Sequence, residues 1–208
     1  MKRKIKSLLL LLAIAALLVG CTQADNEFKF MQAESEQIRQ ADLDYLKSCM
    51  FDVSEDYEFT DIDALTTLAV SQAAIWEAGE LNLAISRAEA REAMAARYQE
   101  FQAATLDEHN PNYENAKWFV EEAQKMKQQV PMTDEEYLDY TAYNYRATEA
   151  YARIKEHFEA ELPPETAADI MLKIQALQEY IKGLVEKYHD ELVEPDLLPL
   201  LDAMLEAM

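Results

Sequence analysis

The chain has 208 residues, with 40 acidic and 19 basic side chains and a formal net charge of −21. That balance repels nucleic acid phosphates and anionic lipid headgroups; it excludes DNA and RNA as expected partners and leaves basic or unfolded polypeptides, unless the charge serves solubility alone. Half of the residues are apolar, enough for a folded core, while three glycines and two cysteines exclude glycine-rich phosphate loops and a disulfide framework.

Lys2, Arg3, Lys4 and Lys6 precede an apolar run from Leu8 to Val19, which Leu18-Val19-Gly20-Cys21 closes. A basic head, an apolar core of about a dozen residues and small residues at its end follow the order of a secretory signal. The run falls short of the roughly 20 residues that a membrane span needs. A cysteine directly after the small residue resembles the lipobox of bacterial lipoproteins. The resemblance implies that residues 1–20 are removed and that Cys21 is the lipid attachment residue. It also implies a chain held in the bacterial cell envelope, on the extracytoplasmic face, in the periplasm or at the cell surface. The alternative is an uncleaved anchor helix with an incidental cysteine. Cleavage leaves 15 of the 19 basic residues against 40 acidic ones, a formal charge of −25 over 188 residues. Cys49 is then the remaining thiol and reads as a small buried apolar residue.

Residues 22–27 are polar and read as a tether, and residues 28–208 as a helical domain. Phe28, Met31, Ile38, Tyr45 and Cys49 recur at helical spacing, which predicts a helix over 33–50, followed by a loop over 51–60. Thr60 or Asp61 caps the next helix, whose stripe is Ile62, Leu65, Leu68, Ile75 and Trp76. That helix ends near Glu80, because Ser86-Arg87-Ala88-Glu89 is a capping box that starts another; a single uninterrupted helix is the alternative. Ala90, Met94, Tyr98 and Phe101 mark the second helix. A loop over 105–112 contains His109-Asn110-Pro111-Asn112. The helix after it carries Trp118, Val120, Ala123 and Met126 and stops before Val130-Pro131. Thr133-Asp134-Glu135-Glu136 is another capping box, with acidic residues suited to the helix dipole. The long helix that it starts runs to Leu162-Pro163-Pro164, where proline stops it. Ile170, Ile174, Leu177, Ile181, Leu184 and Tyr188 form a further stripe that must be buried somewhere. Pro195 opens a last apolar helix with Leu197, Leu198, Leu200, Leu201, Met204 and Leu205. No stretch alternates with period two, so the fold class is all-α, with six or seven helices in residues 28–208.

Catalytic signatures are sparse. Glu186 and His189 stand three residues apart, but a di-iron carboxylate site needs that pair twice with two more glutamates. Neither His109 nor His157 has a glutamate at that spacing. There is no Cys-x-x-Cys-His, no zinc ligand cluster, no Gly-x-Ser-x-Gly and no Walker loop. A glycosidase-type carboxylate pair cannot be chosen among 40 acids. No metal, cofactor or catalytic residue is therefore expected. An enzyme with an unrecognised carboxylate or metal site is the reading left for chemistry.

Tyr137, Tyr140, Tyr143, Tyr145 and Tyr151 crowd the long helix. Tyrosine pairs an apolar ring with a polar tip and suits partly wet surfaces that touch other chains. Tyr143 and Tyr145 cannot both face a core with Tyr140. Two readings stay open: ordinary helix packing, or a surface for client polypeptides to which Trp76 would also belong. Met94, Met126 and Met171 admit the same pair of readings.

Ile38-Arg39-Gln40-Ala41-Asp42-Leu43-Asp44, Ala64-Leu65-Thr66-Thr67-Leu68, the run from Glu77 to Glu89 and Met132-Thr133-Asp134-Glu135-Glu136-Tyr137 follow a familiar order. Over residues 28–162 the chain resembles the N-terminal helical region of SurA/PrsA-type extracytoplasmic chaperones. Ala33-Glu34-Ser35 stands where that family has a Val-Asn-Gly turn, and residues 165–208 are too few and too helical for a parvulin domain. The resemblance implies a helical chaperone domain on which a C-terminal helix, residues 165–193, packs back. It implies a holdase that binds unfolded or secreted polypeptides, without prolyl-isomerase activity. The other expectation is a structural or adaptor lipoprotein of an envelope protein complex, which would dock its partner through Leu197 to Met208.

Overall fold

A computed structural model of the chain describes residues 37–49, 59–130 and 132–208. The signal segment, Cys21 and the tether lie outside the described residues. The fold is all-α. Among the described residues there are nine helices: α1 (Gln40–Cys49), α2 (Asp61–Glu80), α3 (Arg87–Ala104), α4 (Tyr113–Gln129), α5 (Asp134–Ala160), α6 (Pro164–Ala168), α7 (Ile170–Lys187), α8 (His189–Leu192) and α9 (Leu198–Ala207).

Three reciprocal capping boxes set the starts of α2, α3 and α5. The hydroxyls of Thr60, Ser86 and Thr133 accept from the backbone N–H of Asp63, Glu89 and Glu136, and those carboxylates accept from the capping residue's own N–H. The boxes at Ser86 and Thr133 lie where the sequence places them, and the divided form of the 61–101 region is the observed one. α2 ends because Asn82 takes a left-handed backbone, φ 56°. The N–H of Asn82 then reaches the carbonyl of Gly79 and that of Leu83 the carbonyl of Ala78, at 3.1 and 2.7 Å. That is a Schellman termination with asparagine in the usual place of glycine.

α2 and α5 form the centre. The α2 face presents Ala64, Leu65, Leu68, Ala69, Ala73 and Ala78, and the α5 face Tyr143, Ala147, Ala150 and Ile154. Alanine on both faces lets the helices approach closely. α1 lies on α2, and α7 and α9 pack back onto it from the C-terminal side. A second, thinner cluster of Ala90, Met94 and Ala142 joins the α3–α4 hairpin to the first half of α5. Two arginines of α5 hold the link between α2 and α3: Arg146 donates to the carbonyl of Ile85 and Arg153 to that of Leu83, each at 2.9 Å.

Several expectations need correction. The helix expected over 33–50 begins at Gln40, because Ile38 is extended and forms a parallel bridge with Val193; its N–H reaches Leu192 at 2.8 Å and its carbonyl accepts from Glu194 at 3.0 Å. Residues 165–193 are three helices rather than one, which raises the count above seven. Asp169 turns to cap α7, accepting from the N–H of Met171 and Leu172, and Tyr188 interrupts the chain before α8. The stripe starting at Ile170 is buried only in its second half, at Ile181, Leu184, Val185 and Tyr188. Ile170 and Ile174 stand in solvent. Finally, α9 is not a free docking helix: Leu197, Leu201, Met204 and Leu205 belong to the main core. Cys49 is buried as expected, and burial pushes its thiol pKa up.

Candidate functional site

A concavity of about 780 Å³ lies where the last turns of α2 meet α5 and the α7–α8 junction. Ile75, Trp76 and Gly79 of α2 line it, with Arg146, Tyr188, Gln37, Glu80, Asp190 and Glu191 around them. Its volume falls in the range of ligand pockets. Trp76 is half-buried. It meets Tyr188 edge-on, with centroids 5.3 Å apart and planes at 71°. At Gly79 a side chain would meet nothing within 4 Å, so the groove is open above this residue.

Ionic contacts fix one wall. Lys187 donates to Glu77 at 2.5 Å and to Glu80 at 2.6 Å, and Tyr188 Oη donates to Glu77 at 2.9 Å. The hydrogen bonds from the two glutamates raise the Lys187 pKa, and Lys187 in turn lowers that of Glu80. Burial raises the Tyr188 pKa, so this hydroxyl stays a donor. On the other wall Gln37 donates to the carbonyl of Asp190 at 3.1 Å. The exposed carboxylates of Glu80, Asp190 and Glu191 make the rim acidic apart from Arg146. Aromatic and aliphatic side chains fit the floor, and a lysine or arginine fits the rim, where carboxylates and the tryptophan face both attract cations. No serine, cysteine or histidine is among the described lining residues.

The structure disperses the candidate contact residues. Trp76 lies in this groove. Tyr151 lines a second groove of about 410 Å³ between α2 and α5, with Val70 and Thr148. Tyr137 lines a tighter cavity of about 230 Å³ among α3, α4 and α5, packed against Tyr98 with centroids 6.0 Å apart. Tyr143 is buried and its hydroxyl donates to Gln72 at 3.4 Å. Tyr140 packs edge-on against Tyr45, and Tyr145 lies against the thinner cluster. Burial pushes the pKa of Tyr137 and of Tyr140 up to about 12. The tyrosines thus do not form one stripe, and Tyr143 serves the core. Met94 is buried, Met126 half-buried and Met171 exposed. His189 bonds to Asp190 at 2.8 Å and Asp202 at 2.9 Å rather than to Glu186. Among the described residues no cluster of metal-ligating side chains is present, and no helix is long and apolar enough to cross a membrane.

Reading the sequence missed Tyr188, Arg146 and Glu191 as groove residues. Tyr188 is visible in the sequence only as the last member of an apolar stripe, and Arg146 as one cation on a tyrosine-rich helix. No family model, curated protein or solved structure matches the chain.

Proposed function

We propose that the chain is a membrane-tethered extracytoplasmic lipoprotein that binds unfolded or secreted polypeptides as a holdase-type chaperone, without prolyl-isomerase activity. The observation that carries this reading is the open groove floored by Trp76 and rimmed by Glu80, Asp190 and Glu191. Such a surface accepts varied apolar side chains and favours those next to basic residues. The lipobox-like Leu18-Val19-Gly20-Cys21 and the resemblance of residues 28–162 to SurA/PrsA-type chaperones support the same reading. The test is suppression of aggregation of a denatured secreted protein by the full chain. Wild type is expected to suppress it, and Trp76→Ala, assayed at a temperature where its far-UV circular dichroism matches that of wild type, to lose most of the effect. Absence of suppression by wild type defeats the proposal.

A second reading, a structural or adaptor lipoprotein of an envelope complex, is favoured by a separate observation. The first turns of α7 expose aliphatic side chains that no part of the described chain covers.

A further inference from the structure

Among the described residues, the start of α7 is a surface that no other element covers. Ile170, Met171, Leu172 and Ile174 are 72, 69, 47 and 46 % exposed. They fall within five consecutive residues and span about 200° of the helix circumference, wider than the stripe of one buried face. The preceding helix α6 touches α7 but leaves these four side chains exposed. Together these side chains offer on the order of 400 Å² of apolar surface, as large as the patches that mark interaction sites on monomers.

This end is held in place. The second half of α7 is fixed in the main core through Ile181, Leu184 and Val185. Phe158 of α5 stacks on Tyr180 with centroids 4.4 Å apart and planes at 15°, and Lys173 bonds to Glu159 at 2.7 Å. The patch is therefore presented in a fixed position, which lowers the ordering cost of binding.

Charge selects the occupant. Between residues 161 and 175 the chain carries Glu161, Glu165 and Asp169, with Lys173 as its single basic residue. Lys173 is matched by Glu159, so the border of the patch is acidic. A second copy of the chain would bring the same acidic border against itself, and anionic lipid would be repelled. A basic polypeptide is attracted. We infer that the α6–α7 end is a docking surface for a polypeptide segment in which aliphatic side chains are flanked by lysine or arginine. The inference rests on the adaptor reading, whose surface and partner chemistry it specifies.

The test uses the full chain in nanodiscs of zwitterionic lipid and fluorescent peptides that share one set of leucines, flanked either by lysines or by glutamates. The lysine peptide is expected to bind at least about tenfold more tightly than the glutamate peptide, and less tightly as salt is raised. The double variant Ile170→Asn/Ile174→Asn, at exposed positions where folding is retained, is expected to weaken the lysine peptide about tenfold or more. Equal binding of the two peptides, or undiminished binding to the double variant, overturns the inference. So does a concentration-dependent dimer, or attachment to anionic vesicles, that the double variant abolishes. If the double variant still co-purifies the same envelope protein as wild type, the surface assignment fails while the adaptor reading stands. If the lysine peptide binds at α7 but wild type co-purifies no envelope protein, the adaptor reading fails and the surface stands.

Discussion

Truncating Leu201 to alanine separates two roles for the last helix. In the structure Leu201 is 0 % exposed and sits in the main core with Leu197, Met204 and Leu205. α9 is also held from two sides, by Lys182 Nζ donating to the carbonyl of Leu205 at 2.5 Å and by His189 bonding to Asp202. A fully buried leucine loses its transfer free energy and leaves a cavity, so Leu201→Ala is expected to cost about 2–5 kcal/mol. For a domain of this size each kcal/mol lowers Tm by about 2–4 °C, which puts the fall at roughly 4–20 °C. Thermal unfolding of the full chain followed by far-UV circular dichroism reads it. Leu172→Ala is the control: Leu172 is exposed, and its truncation is expected to stay within about 0.5 kcal/mol of wild type. A Leu201→Ala protein that melts within about 1 °C of wild type, yet loses a bound envelope protein, would refute the reasoning and return α9 to the role of docking helix.

Gly183 lies inside α7, and a methyl group there meets nothing within 4 Å. Gly183→Ala is expected to stabilise by about 0.5–1 kcal/mol, seen as a Tm increase, because the unfolded chain loses freedom and nothing in the fold resists. Asn82 holds a positive φ, so Asn82→Gly is expected to be tolerated while Asn82→Val costs about 1–2 kcal/mol by equilibrium denaturation. His189 has its pKa raised by hydrogen bonds to Asp190 and Asp202, so its contribution is fully present below the ordinary value of 6.5 and is lost as pH rises through the higher folded value. Denaturation of wild type and His189→Gln at acidic and alkaline pH is expected to show a gap of less than about 1 kcal/mol that closes above neutrality; a gap that widens would reverse the assignment.

The all-α class and most helix boundaries were legible because they are set locally. A capping box needs two side chains three residues apart, and Ser86 with Glu89 and Thr133 with Glu136 carry all of that information. Asp63 completes the same device for Thr60, although the sequence reading left the cap open between Thr60 and Asp61. The end of α2 was placed near Glu80, but the residue that makes the turn, Asn82, did not stand out, because asparagine is also common in helices and loops. The late start of α1 was out of reach. Ile38 is extended because its partners, Leu192 and Glu194, come from the far end of the chain, and nothing near Ile38 announces that pairing.

The groove and the exposed end of α7 were harder to read, for a common physical reason. Trp76 attracts notice alone, but Tyr188, Arg146 and Glu191 reach it from two other segments, and their spacing encodes nothing. In α7 the pattern Ile170, Ile174, Leu177, Ile181, Leu184 keeps one helical period from start to end. Periodicity states that a face is apolar; it does not state what the face meets. α2 and α9 lie against the second half of this helix, and α5 reaches it through Phe158, so Ile181 and Leu184 are buried. Ile170 and Ile174 continue the same stripe beyond the bundle. A stripe kept apolar past the point where its own chain can cover it is uneconomical for a monomer, since exposed aliphatic clusters promote association. Among the described residues, the apolar pattern of α7 therefore runs further than the core that covers it.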